Sequence, residues 1–153
     1  MRIWRAGAAE AADVAHLIAE FGEWFGNDTP SEQAIRASVE RIMASGGGEY
    51  LLGSVDDAGV AAGVCQLRFR WSVWNSAEDC WLEDLYVREA ARRAGLGRAL
   101  VEAALERARE RGCKRIELDV NEDNAAACAL YEACGFLAEP KPPGRTLFIG
   151  RPL

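Results

Sequence analysis

Apolar residues recur along this chain with two different periods, and the changes between them lay out its elements. The opening Arg2-Ile3-Trp4-Arg5 reads as a short edge strand. Val14, Leu17, Ile18, Phe21 and Phe25 then fall at three- and four-residue steps, which predicts an amphipathic helix. Thr29-Pro30-Ser31 opens a second helix with Ile35, Val39 and Ile42 on one face. Ser45-Gly46-Gly47-Gly48 ends it. This glycine run follows a helix, precedes a strand and carries no Gly-Lys-Ser/Thr, so it reads as a helix stop and not a phosphate loop.

Three strand-like runs follow, joined by short turns. Glu49–Val55 leads through Asp56-Asp57-Ala58-Gly59 into Val60–Trp71, and Asn75–Asp79 turns the chain into Cys80–Val87. Such runs predict an antiparallel meander. Leu96–Arg111 then carries Leu100, Val101, Ala104, Leu105 and Ala108 on one face and charges on the other, with Gly112 at the position of a left-handed cap. Arg115–Val120 reads as a strand and Ala125–Cys134 as a helix ended by Gly135. Phe136–Ala138 and Thr146–Ile149 read as a last pair of strands around Pro140–Gly144. No repeat, linker or low-complexity tract interrupts this order. The expectation is one α+β domain over residues 1–153.

Composition narrows the function. The chain has 153 residues, 50% hydrophobic and 27% charged, a balance that excludes disordered, collagen-like and coiled-coil classes. A net charge of −6 argues against duplex nucleic acid as a main partner, because that binding rests on cations that neutralise phosphates. Five cysteines without a CxxC pair, beside one histidine, give no zinc pattern; no metal is expected, and the thiols read as reduced, small hydrophobes. Residues 1–25 lack a signal-peptide core, and no run approaches the ~20 apolar residues that span a bilayer. A cytoplasmic location without membrane contact is the expectation.

The candidate chemistry lies in Leu82-Glu83-Asp84-Leu85-Tyr86-Val87 and in Arg92-Arg93-Ala94-Gly95-Leu96-Gly97-Arg98. A strand, a short connection and a glycine-bearing turn here open a helix whose first amides lack intrahelical partners, a setting that suits phosphate or pyrophosphate. Position 100 is Leu, so the G-x-G-x-x-G of dinucleotide folds is absent.

Arg92–Gly97 resembles the Q/R-x-x-G-x-G/A motif of the GNAT superfamily of acetyl-CoA-dependent N-acetyltransferases. Asn124 followed by Ala129-Leu130-Tyr131-Glu132-Ala133-Cys134-Gly135-Phe136 looks like that family's second signature. The resemblance covers nearly the whole chain. It implies a mixed central sheet of about six to seven strands flanked by four helices, and acetyl-CoA as co-substrate. It places the cofactor against Leu85, Tyr86 and Val87, against Arg92, Arg93, Ala94, Gly95, Leu96, Gly97 and Arg98, and near Asn124 and Ala127. It makes Tyr131 the general acid.

The run Leu82–Val87 is similar to that of the diamine and polyamine (spermidine/spermine-like) acetyltransferases, where the matching Glu83 is a proposed base and substrate contact. Strict alternation puts Glu83 with Leu85 on one strand face and Asp84 with Tyr86 on the other. Glu23, Trp24, Asp28, Trp74 and Asp84 are the candidate acceptor contacts, acids and aromatics that suit a cationic amine. Trp24-Phe25 departs from the aromatic–acidic pair of the polyamine branch. The function implied is acetyl transfer to a primary amine, best a small cationic one. The alternatives are a peptide N-acetyltransferase and a non-catalytic acyl-CoA sensor. A homodimer is expected, with Trp71 and Trp74 near its contact. Arg92, Arg93 and Arg98 gather where phosphates would dock, while Glu20, Glu23, Asp28, Glu83 and Asp84 lie in segments that could flank the amine entrance.

Overall fold

The computed structural model describes residues 1–26, 28–56, 59–137 and 151. Five strands form one sheet in the order β1-β2-β3-β4-β5: β1 (Arg2–Arg5), β2 (Gly48–Ser54), β3 (Gly63–Ser72), β4 (Ala77–Val87) and β5 (Ile116–Glu117). All neighbours are antiparallel except β4 and β5, which run parallel. Four helices, α1 (Ala11–Phe25), α2 (Glu32–Ser45), α3 (Leu96–Glu110) and α4 (Ala125–Ala133), cover the sheet.

The expected α+β meander is present, with five strands among the described residues where six to seven were expected over the chain. Phe136 and Leu137 adopt no strand, and Ala138, Pro140–Gly144 and Thr146–Ile149 lie outside the described residues. Predicted β5 shrinks from Arg115–Val120 to two residues because the chain leaves β4 after Trp81↔Glu117.

Each sheet face buries a separate apolar cluster. Leu51, Cys65, Leu67, Cys80 and Leu82 meet Leu96, Leu100, Val101 and Ala104 of α3. Tyr50, Leu52 and Val64 meet Val14 and Leu17 of α1 and Ile35 and Val39 of α2 on the other face. Helix ends follow local chemistry: Ser31 Oγ accepts from the Ala34 amide at 3.3 Å to start α2, and Gly46 (φ 69°) and Gly112 (φ 76°) take left-handed conformations where α2 and α3 end.

Two facing glycines set the depth of α3. Gly53 pairs with Gly63 across β2 and β3. A Cβ on Gly53 would stand 2.8 Å from Leu96 Cδ1, and one on Gly63 would stand 3.0 Å from Leu100 Cδ1. Only glycine lets the first turn of α3 lie this close to the strands, next to the end of β4. The far end of α3 is tied by charge: Arg107 Nε reaches Glu49 Oε2 at 2.7 Å, and Arg111 bridges Glu49 at 3.0 Å and Glu78 at 2.8 Å.

Candidate active site

The helix start behaves as the glycine pattern predicts. Gly95 is the N-cap of α3 with φ 87°, and it supplies no side chain to accept from the first-turn amides. Ser31 and Asn124 do supply one for α2 and α4. The opening of this 15-residue helix thus keeps amide donors and the positive end of its dipole available to an anion. Gly97 lies between α4 and β4, where a Cβ would be 3.4 Å from Leu130 Cδ2 and 3.8 Å from Val87 Cγ2. Leu96 is buried in the core, which leaves only its backbone for a ligand; Ala94 is exposed.

The three arginines are not equivalent. Arg92 Nε donates to the Val87 carbonyl at 2.9 Å, and its guanidinium lies 5.0 Å from the Trp24 ring centroid. Arg98 pairs with Glu102 at 2.8 Å, one helical turn on. Arg93 is exposed with φ 61° and makes no ion pair among the described residues. Of the three, Arg93 is the one not engaged by a neighbour among the described residues.

A β-bulge reorganises the middle of β4. Gln66 pairs with Asp84 and Leu67 with Leu82, so Glu83 is an extra residue on β4. The alternation expected from sequence therefore fails at this point. Gln66 Nε2 donates to Glu83 Oε2 at 3.1 Å, which brings Glu83 onto the face that Gln66 and its partner Asp84 share. Leu85 and Val87 pack on the α3 side, while the Tyr86 ring lies 5.5 Å from Phe21 of α1. Arg68 Nη1 stands 3.8 Å from Glu83. Burial, then the charges of Glu83 and Asp119, push the Asp84 carboxyl up to about 6.

Beyond Trp81 the edge of β4 that faces β5 has no ladder partner among the described residues, because β5 has ended. Tyr131 of α4 packs against the cluster that holds Leu85 and Val87, with Phe136 edge-on at 5.8 Å. Its hydroxyl makes no hydrogen bond among the described residues. Burial pushes that phenol up to about 12, with further contributions from Cys65, Asp119 and Asp84. Asn124 caps α4: its Oδ1 accepts from the Ala127 amide at 3.2 Å.

The predicted acceptor residues are not brought together. Trp24 lies by Arg92 at the Val87 end of β4, whereas Trp74 lies in the β3–β4 turn, roughly 30 Å away at the rise of a strand. Trp74 is 96% exposed and Trp24 55%. Glu23 and Asp28 are exposed near the end of α1. Glu20 is committed elsewhere, since Arg88 holds it through Nε at 2.8 Å and Nη2 at 2.9 Å and keeps its carboxyl below the usual range. Asp84 alone of the acceptor set stands beside Glu83.

Two residues here escaped the sequence reading. Gln66 is 7% exposed and orients Glu83, and a lone amide inside Val64-Cys65-Gln66-Leu67 is the signal that marks it. Asp119 acts on both Asp84 and Tyr131, and nothing in its local pattern distinguishes it. The open hollow of about 500 Å³ lined by Arg5, Gly7, Glu40, Met43 and Glu49 includes none of these residues. Among the described residues no helix is long and apolar enough to cross a membrane.

The chain is similar to known proteins in both sequence and fold. The sequence profile of the acetyltransferase (GNAT) family matches residues 13–136. An aminoglycoside N(6')-acetyltransferase type 1 of Stenotrophomonas maltophilia is 31% identical over 137 residues, 88% of this chain and 84% of that protein. A thialysine N-epsilon-acetyltransferase of Bos taurus is 29% identical over 144 residues, 87% of this chain and 82% of that protein. Among solved structures, a protein of Arthrobacter sp. FB24 described as an acetyltransferase superposes with TM-score 0.86 at 31% identity, covering 100% of this chain and 96% of the other. A ribosomal-protein-alanine N-acetyltransferase from Brucella melitensis shares the fold, with TM-score 0.76 at 18% identity and 99% of each chain covered.

Proposed function

The chain belongs to the acetyltransferase (GNAT) family, and from that premise we propose that it moves an acetyl group from acetyl-CoA to a primary amine of a small cationic molecule. The observation that carries the acceptor class is the bulge at Glu83, which sets two carboxylates side by side on one face of β4. Adjacent carboxylates attract an ammonium group and reject anionic acceptors. The relatives named for aminoglycoside and thialysine acetylation act on amines, which supports the same class.

The residues present fit acetyl-CoA. The uncapped amides from Leu96 to Arg98, with Arg93 beside them, suit its pyrophosphate. The free edge of β4 at Leu85 and Val87 suits the amides of its pantetheine arm, as one strand suits another. Arg92 must then give up the Val87 carbonyl. Tyr86 contributes backbone only, its ring being turned to α1. Asn124 and Ala127 lie at the start of α4, where the Asn124 side chain accepts from the Ala127 amide. Acetyl-CoA supplies an activated acetyl thioester.

The chain's own groups do the rest. The backbone N–H of Leu85, next to the bulge, steadies charge that develops on the acetyl oxygen, an effect worth about 3–4 kcal/mol per donor. Tyr131 donates its hydroxyl proton to the departing sulfur. Burial keeps that phenol protonated at neutral pH, as an acid requires. Glu83 meets the incoming ammonium. A homodimer through Trp71, Val73 and Trp74, all exposed at the β3–β4 turn, completes this reading, and light scattering tests it.

The deciding experiment offers acetyl-CoA with diamines, aminoglycosides, lysine analogues and peptide α-amines, and follows release of free thiol. Turnover of small polycationic amines supports the proposal. Turnover of peptides alone would replace it with the protein-directed activity. Tight acetyl-CoA binding without thiol release from any amine would point to a sensor.

A further inference from the structure

Resting on the acetyl-transfer reading, we propose that Asp84, and not its neighbour Glu83, takes the proton from the attacking amine. The bulge puts both carboxylates on one face, yet they are differently committed there. Glu83 is exposed, accepts from Gln66 Nε2 at 3.1 Å and has Arg68 Nη1 at 3.8 Å. Both contacts fall on Oε2, which is thus shared between two groups of β3. This suits a fixed contact for an ammonium.

Asp84 is half-buried and accepts no hydrogen bond among the described residues. Tyr50 of β2 and Gln66 of β3 lie in register with it on the same sheet face, Glu83 stands beside it on its own strand, and Asp119 adds a second like charge. None of them is a cation; Arg68 lies by Glu83 instead. Loss of water and two like charges therefore push the Asp84 carboxyl up to about 6. At neutral pH such a group is ionised yet holds a proton about a hundredfold more readily than an ordinary aspartate. That is the balance a general base needs.

The protons balance as follows. The ammonium gives one proton to an Asp84 Oδ atom, and the freed nitrogen lone pair forms the N–C bond. The C–S bond breaks, and sulfur keeps its electron pair and takes the Tyr131 Oη proton. The second nitrogen proton passes to the Tyr131 oxygen and restores it, while the Asp84 proton leaves to water.

The test compares wild type, Asp84→Asn and Glu83→Gln with acetyl-CoA and 1,4-diaminobutane, recording kcat/KM across roughly pH 5 to 8. In parallel, carboxyl-carbon NMR follows Asp84 in the wild-type protein without acetyl-CoA, its signal identified by its loss in Asp84→Asn. The wild-type rate is expected to fall below about pH 6 with a one-proton slope, and the Asp84 signal to titrate at the same pH. Asp84→Asn is expected to lose roughly 100-fold or more and to flatten the profile. Glu83→Gln is expected to raise the amine KM and keep the inflection, displaced downward because a like charge has gone. An inflection that survives in Asp84→Asn, one that vanishes in Glu83→Gln, or an Asp84 signal in the ordinary aspartate range would each overturn the assignment. Absence of thiol release by wild type with any amine would instead overturn the acetyl-transfer reading beneath it.

Discussion

Gln66 donates its side-chain amide to Glu83 across the one irregular step in the β3–β4 pairing, at 3.1 Å. The donor is almost fully buried and the acceptor is exposed, so the bond aims a surface carboxylate from inside the sheet. Gln66→Leu keeps the volume and removes that aim. A hydrogen bond to a charged group is worth about 1.5–3 kcal/mol, so the amine KM should rise about tenfold or more. Acetyl-CoA affinity should stay unchanged. Steady-state kinetics and calorimetry on the same variant read both.

Tyr131→Phe removes one oxygen from a side chain that packs against the same apolar cluster as Leu85 and Val87. Turnover should drop by roughly 10²–10⁴ while acetyl-CoA binds as before. The pH dependence has a definite sign. An acid works while protonated, and burial pushes this phenol up to about 12. Wild type should therefore show no alkaline loss from this group below roughly pH 11. Thiol release against pH, with binding measured separately, decides it.

Gly95 and Gly112 offer a matched pair at the two ends of α3, with φ of 87° and 76°. Alanine at either position carries the left-handed penalty of about 1–2 kcal/mol. Both variants should lose a few degrees of Tm. Only Gly95→Ala disturbs the amides proposed for the pyrophosphate, and it should weaken acetyl-CoA about tenfold. Equal affinity in the two variants would remove the helix start from the binding site.

Glu49 anchors the other end of α3. Hydrogen bonds from Arg107 hold its carboxyl below the usual range against the opposing effect of burial, and Arg111 adds a second contact. Its stabilising contribution is complete above the unfolded value, about 4.3, and is lost as pH falls through the lower folded one. Glu49→Gln should cost about 1–3 kcal/mol at neutral pH, and the gap from wild type should close below roughly pH 4. Thermal melts at several pH values test this.

The periods of the chain disclosed the elements because burial on one face leaves a trace at every second or every third and fourth residue. Val14, Leu17, Ile35 and Val39 pack where such counting puts them, and the stops at Gly46 and Gly112 hold. The glycine turn that opens α3 at Gly95 was legible for the same local reason. The bulge was not. One inserted residue leaves composition and period almost untouched, yet it moved Glu83 to the face of Asp84. The acceptor set failed for a different reason: Trp24 and Trp74 share a chemistry but belong to opposite ends of β4, and separation in space leaves no mark in residue type.

The facing pair Gly53 and Gly63 has a consequence for length. By letting Leu96 and Leu100 rest on the strands, it fixes how far the α3 amides stand from the bulge in β4. Under the proposed function this span is a ruler, with one mark for a pyrophosphate and one for a thioester carbon. A donor with a shorter arm, such as acetyl phosphate or an acetylated cysteamine, reaches one mark and misses the other. A methyl group on either glycine would shift the scale, and with it the thioester length the enzyme accepts.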